Sequence, residues 1–165
     1  MKTLYLVRHA KSSWEEPSQS DFERLLNKRG QTDAPMMAKL LHRKNIIPDL
    51  MLSSPAARAL LTAEIFAEEL KYPAENIFKD ERIYEATMRE LTSVARSIDN
   101  KNSTVILFGH NPGLTNFANL LGNEFLPNLP TCAIVGLELI IESWTEVERD
   151  CGKTFLFDYP QNHIK

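Results

Sequence analysis

Three short clusters in this chain combine arginine, histidine and serine in ways that suit phosphoryl chemistry. They are Arg8-His9, Ser53-Ser54-Pro55-Ala56-Ala57-Arg58 and Gly109-His110-Asn111-Pro112-Gly113. An arginine offers planar, multidentate donors to phosphoryl oxygens, and a histidine can attack phosphorus or donate a hydrogen bond to a phosphoryl oxygen. Each cluster is weak by itself. Arg-His after an apolar run is more often a turn, Ser-Pro ordinarily does no more than start a helix, and Gly-His-Asn-Pro-Gly fits a turn whose imidazole bonds backbone. Their shared position is what gives them weight, because each falls at the end of an expected strand.

The first strand is expected over 3–7, Thr3-Leu4-Tyr5-Leu6-Val7, a short apolar run that ends in polar residues. A long polar loop over 11–21 follows. Asn27 is placed as the N-cap of a helix to about residue 43, with Met37 and Leu41 on one face. Pro35 within it predicts a kink or a late start. Leu50-Met51-Leu52 reads as a second strand, and Ser54 as N-cap with Pro55 at the first helical position starts a helix over about 56–70. That helix should turn Leu61, Ile65 and Leu70 to a core. A short strand is expected near Ile77-Phe78, and Leu91, Val94, Ala95 and Ile98 fit one helix face. The clearest strand is 104–108, Thr104-Val105-Ile106-Leu107-Phe108, followed by a helix to about residue 121 with Asn111 as its N-cap. Ala133, Val135, Leu137, Leu139 and Ile141 then alternate with Glu138 and Glu142, and a last strand covers 154–159 after a turn at Cys151-Gly152.

Strands alternating with helices predict an α/β fold, a three-layer α/β/α sandwich whose sheet is mostly parallel, with the last two strands antiparallel at one side. In such sheets ligands bind beyond the carboxyl ends of the strands. Two of the three clusters also open helices, where free N–H groups and the helix dipole favour an anion. Arg58 in a first helical turn is unfavourable unless something negative binds beside it.

Composition narrows the class. The chain has 165 residues, 43% hydrophobic and 25% charged, with a net charge of −3. This is the profile of a globular chain, and one domain over 1–165 is expected. The acidic balance argues against a dedicated DNA or membrane-surface binder, while leaving room for a local basic pocket. No apolar run nears the ~18 residues of a membrane span, and the stretch from Leu4 to Val7 is too short for a signal peptide. Cys132 and Cys151 are isolated, so neither a disulfide framework nor a zinc ribbon is expected. A cytoplasmic, monomeric protein is the resulting expectation.

With these residues in order, the chain resembles the histidine phosphatase superfamily, the phosphoglycerate-mutase-like group, and within it the short SixA-type phosphohistidine phosphatases. The resemblance rests on Arg8-His9-Ala10-Lys11-Ser12-Ser13-Trp14, on Asp21 with Leu26-Asn27-Lys28-Arg29-Gly30, on Ser54-Pro55-Ala56-Ala57-Arg58-Ala59 with Thr62-Ala63-Glu64, and on Gly109-His110-Asn111-Pro112-Gly113. It covers essentially the whole chain. It implies that His9 is the nucleophile and becomes phosphorylated, that Arg8 and Arg58 bind the phosphoryl oxygens, and that His110 completes the pocket, with no metal or cofactor. Phosphoryl transfer asks for little more than an in-line nucleophile and positive groups around three oxygens. Arginines beside His9 should keep its imidazole neutral.

Glu85 matches the position where many relatives place a proton donor; a surface glutamate near a helix start is the alternative. Ser13 either bonds the phosphate or caps its loop. Trp14 matches the family loop and is equally a packing residue at the rim. His42 and His163 are expected in solvent. Leu25 stands where relatives commonly have proline, which bears on loop stiffness and not on catalysis. Only about one helix separates Glu85 from the strand at 104, so the lid should be minimal and the pocket open to water, which favours hydrolysis over transfer. The substrate expected is a phosphorylated one, including a phosphohistidine-bearing protein. The alternatives are a small-molecule phosphomonoesterase, a non-catalytic phosphate-binding module, which would not need the nucleophile, and a metal site on His9 and His110, which the two arginines oppose.

Overall fold

A computed structural model of the chain describes residues 1–14, 16 and 18–164. The elements follow as β1 (Lys2–Arg8), α1 (Lys28–Arg43), β2 (Leu50–Ser53), α2 (Ala57–Leu70), β3 (Phe78–Lys79), α3 (Met88–Arg96), β4 (Thr104–Gly109), α4 (Gly113–Leu121), β5 (Ile134–Leu139) and β6 (Gly152–Asp158). They form one sheet in the order β3-β2-β4-β1-β5-β6. The first four of these run parallel, and β5 and β6 complete it antiparallel.

The period-two pattern of the central strands divides the core in two. Leu4, Leu6, Val105 and Leu107 face α3 and α4 on one side of the sheet. Tyr5, Val7, Ile106 and Phe108 face α1 and α2 on the other. Both faces are therefore apolar, which is why β1 and β4 read as continuous hydrophobic runs and not as alternating ones.

The register carries the functional consequence. Arg8 lies opposite Gly109, and Val7 and Ser53 both lie opposite Phe108. Three neighbouring strands thus end level with one another, and the next residues, His9, Ser54 and His110, emerge on one edge of the sheet.

Several expectations are corrected. Helix α1 has the expected N-cap, Asn27 accepting the Gly30 N–H at 2.9 Å, but it starts at Lys28 and runs through Pro35, so the late start is not found. Helix α2 begins at Ala57 with Ala56 as its N-cap residue, so Pro55 does not occupy the first helical position. Its buried face is Ala59, Thr62, Ala63, Phe66, Ala67 and Leu70, while Leu61 and Ile65 are half-buried at its margin. Leu70 is thus buried as expected and Leu61 and Ile65 do pack against the core, but small residues form the centre of the face that approaches α1. Asn111 does not cap α4 at the N-cap position, which is Pro112. Its Oδ1 instead accepts from the backbone and hydroxyl of Thr115 at 3.2 and 2.8 Å. His42 and His163 are exposed as expected.

Glycine at two helix starts allows loops to lie against them. A Cβ on Gly30 would run into the Lys11 carbonyl, and one on Gly113 into the Ala86 carbonyl. Backbone cannot step aside as a side chain can, so Gly113→Ala is expected to cost about 1–3 kcal/mol. Urea unfolding followed by circular dichroism would measure it, and an unchanged midpoint would refute the close approach.

Candidate active site

Arg8 ends β1 and its NH1 donates to the Leu129 carbonyl at 2.8 Å. Asn111 donates to the same carbonyl at 2.9 Å, which ties the two strand ends to the 125–131 loop. His9 is 6% exposed, and its Nδ1 lies 2.8 Å from the Ala10 carbonyl. Since a carbonyl only accepts, Nδ1 carries the proton and Nε2 of the neutral ring carries the lone pair. The Ala10 N–H is held by the Thr62 hydroxyl at 2.9 Å, and that hydroxyl donates to the Arg58 carbonyl at 2.8 Å. Thr62 therefore joins the loop after His9 to α2 one turn beyond Arg58.

Arg58 is 5% exposed. Its NH1 donates to the Asp21 carbonyl at 2.7 Å and its NH2 to Asp21 Oδ2 at 3.0 Å. Asp21 also accepts from Arg24 Nε and NH2 at 3.2 and 3.0 Å, and from the Tyr84 hydroxyl at 2.7 Å. Burial works to raise its carboxyl, but the Tyr84 bond and the two arginines outweigh it and hold the group at about 2. The same bond pushes the Tyr84 phenol up to about 12. Ser54 does not cap α2. Its Oγ lies 2.7 Å from His110 Nε2 and accepts the Ala56 N–H at 3.2 Å. Tyr84 meets the His110 ring edge-on, with centroids 5.6 Å apart.

These side chains enclose a pocket of about 370 Å³ lined by Arg8, His9, Lys11, Arg24, Arg58 and His110 among others. Four cations converge there in a chain of net charge −3. Burial first, and then Arg58, Arg8 and Arg24, lower the His9 imidazole to about 4, against the opposing pull of the Ala10 carbonyl. Burial, His9 and Arg58 lower His110 to about 3. Arg8 Nε, Arg58 Nε and His110 Nδ1 are buried and lack a hydrogen-bond partner among the described residues. Buried polar nitrogens without partners are uncommon and are costly unless something binds them.

Both histidines are thus neutral at pH 7, which gives a signed prediction. Between pH 6.5 and about 4 the unfolded chain binds protons at His9 and His110 that the folded chain refuses. Unfolding free energy therefore falls as the pH drops through that window. In ¹⁵N-resolved NMR, both imidazoles should stay neutral at pH 5, with His9 as the Nδ1–H tautomer. A midpoint near 6.5 for His9 would refute it.

Of the residues singled out in the sequence, Arg8, His9, Arg58 and His110 line one pocket. Glu85 and Ser13 do not. Glu85, at a positive φ of 53°, lines a neighbouring depression of about 500 Å³ with Thr87, Pro112 and Phe125. Ser13 lines another beside Leu26 and Asn27, its N–H bonded to the Leu25 carbonyl at 2.8 Å. Sequence reasoning gave no role to Asp21, Arg24 or Tyr84, and it took Ser54 for a helix cap. The Asp21-x-x-Arg24 spacing was the one available signal; nothing local marks Tyr84.

A mixed sheet that gathers a buried neutral histidine and converging arginines at the ends of its parallel strands has the chemistry to hold a phosphoryl group. The chain belongs to the histidine phosphatase superfamily (branch 1), whose family model matches residues 4–115. Within it the chain is of the small SixA type. It superposes on SixA of Agrobacterium tumefaciens with a TM-score of 0.78 at 27% identity, over 96% of this chain and 98% of that one. It also matches the protein histidine phosphatase SixA in complex with tungstate, with a TM-score of 0.82 at 22% identity, over 97% and 98% of the two chains. An uncharacterized chloroplastic protein of Arabidopsis thaliana is 29% identical over 88% of this chain and 70% of its own length. Among the described residues no helix is long and apolar enough to cross a membrane.

Proposed function

We propose that the protein is a phosphohistidine phosphatase that works through a phosphoryl-enzyme on His9 without a metal. The observation that carries this is the conjunction, in one pocket, of a neutral imidazole fixed as the Nδ1–H tautomer and of arginine and histidine nitrogens lacking partners. A phosphoryl group seated there supplies the acceptors these nitrogens lack. His9 Nε2 attacks phosphorus, the bond from phosphorus to the substrate nitrogen breaks, and the Ala10 carbonyl stabilises the charge that develops on the phosphorylated ring. Arg8, Arg58 and His110 surround the transferring oxygens. Water then attacks phosphorus, the Nε2–P bond breaks, and a proton leaves with the phosphate to solvent, so that His9 returns neutral.

A phosphohistidine protonated on its other ring nitrogen departs as neutral imidazole, so no acid is demanded at the leaving atom. An alkyl phosphate has to be protonated as it leaves. Glu85 sits in the neighbouring depression, which suits the first substrate better than the second. The segment after Tyr84 is also committed elsewhere. Helix α3 packs with α4 on the sheet, so it is not available to fold over the pocket, and a bulky phosphorylated protein can reach His9.

The small-molecule phosphomonoesterase remains the second reading, and Glu85 separates the two. Glu85→Gln is expected to leave phosphohistidine-peptide turnover within about twofold while slowing an alkyl phosphate by about 10²-fold if that carboxyl is its acid. A large loss on the phosphohistidine peptide would reverse the assignment. Excess EDTA should not change kcat, because four cations around the pocket repel a divalent ion. Loss of activity restored by added metal would overturn the metal-free scheme.

A further inference from the structure

Trp14 is 75% exposed although it lines the same pocket as His9. Arg24 explains how it is held. The guanidinium of Arg24 lies 3.5 Å from the centre of the indole ring. Every nitrogen of that guanidinium is already used, Nε and NH2 by Asp21 and NH1 by Ser12, and the residue is 8% exposed. With each nitrogen already anchored, Arg24 presents its flat face, and Trp14 lies on it. A guanidinium stacked on an indole covers one ring face, and the high exposure of Trp14 leaves the rest of the ring open. Large exposed aromatic rings ordinarily sample several rotamers; this one is fixed beforehand by a cation–π contact to an immobilised cation.

We propose that Trp14, backed by Arg24, is a stacking platform at the pocket rim that selects substrates whose leaving group is a planar aromatic ring, the imidazole of a phosphohistidine. The proposal deepens the function assigned above and rests on it for the identity of the ring. A phosphoryl group among Arg8, His9, Arg58 and His110 places the departing atom at the pocket mouth, which Trp14 borders. An imidazole can stack on the indole there. A serine or sugar oxygen on an sp³ carbon presents no face to stack. Trp14 is a specificity residue in this scheme, and Arg24 positions it.

The test compares two peptides of one sequence, carrying phosphohistidine or phosphoserine. Trp14→Ala should lower kcat/KM on the phosphohistidine peptide about tenfold and on the phosphoserine peptide less than about twofold. Trp14→Phe should restore most of the loss, and Trp14→Leu, which keeps apolar cover without a π face, should not. Equal losses on both peptides, or rescue by leucine as complete as by phenylalanine, would overturn the platform. If the wild type hydrolyses phosphoserine and not phosphohistidine, the functional reading fails separately. The platform is then judged with phenyl phosphate against ethyl phosphate, where Trp14→Ala must penalise the phenyl ester selectively. Should turnover be absent altogether, binding of the two peptides to His9→Ala with and without Trp14→Ala gives the same ratio, and no selective weakening refutes the proposal.

Discussion

His9→Ala is expected to lower kcat by about 10⁴–10⁶-fold, the scale seen when a covalent nucleophile is removed. The pocket offers no second imidazole with a free Nε2: that of His110 lies 2.7 Å from the Ser54 hydroxyl. The guanidinium groups carry no lone pair to offer. Acid-quenched enzyme should hold a phosphoryl group on nitrogen in the wild type and none in the variant, and burst-phase phosphate release should vanish with it. Binding should survive, since Arg8, Arg58 and His110 remain. The variant should also be less sensitive to acid than the wild type. It lacks a buried imidazole that stays unprotonated down to about pH 4, so part of the stability lost between pH 6.5 and 4 is lost no longer. Activity within tenfold of wild type would end the assignment of His9 as nucleophile.

Arg58→Ala is expected to lower kcat/KM by about 10²–10³-fold, comparable with the loss of one preorganised oxyanion donor. The magnitude depends on how Arg58 is held. Asp21 fixes two of its nitrogens, at 2.7 and 3.0 Å, while Nε stays buried and unpartnered among the described residues. Its orientation is settled before substrate arrives, so little reorganisation accompanies charge development. Arg58→Lys keeps the charge and loses the planar fork, and should recover no more than about tenfold. Asp21→Asn gives the complementary measurement. It leaves both arginines in place but weakens their common tether, so it should act mainly on kcat with a smaller loss than Arg58→Ala. A loss equal to that of Arg58→Ala would mean that Asp21 takes part in the chemistry directly.

The fold was largely legible because its central strands advertise themselves. Val105-Ile106-Leu107-Phe108 and Leu4-Tyr5-Leu6-Val7 are continuous apolar runs, which buried parallel strands must be, and each ends abruptly in a polar cluster. The strand-end rule then gathered Arg8, His9, Arg58 and His110 without knowledge of the strand order. Errors fell at helix boundaries and faces. Ser54-Pro55 has the composition of a helix start, but the Ser54 hydroxyl answers to His110, a residue 56 positions away. The centre of the α2 face was missed, though Leu61, Ile65 and Leu70 do turn to the core, because alanines, carrying little hydrophobic signal, make the close packing with α1.

The sequence by itself determined the candidate reacting groups, since residue type limits who can attack phosphorus or bind its oxygens, and local patterning sets which strand ends carry them. Tertiary structure alone decided how those groups are tuned and aimed. The Asp21 carboxylate, tethering Arg24, Arg58 and Tyr84 at once, joins residues 37 and 63 positions apart. The low affinity of both histidines for protons comes from burial and from arginines on other elements. The tautomer of His9 is local, set by the next residue's carbonyl, but the hold on that loop comes from Thr62 on α2. Hydrogen bonds and desolvation act over a few ångströms in space and have no characteristic spacing in sequence, so no local pattern can announce them.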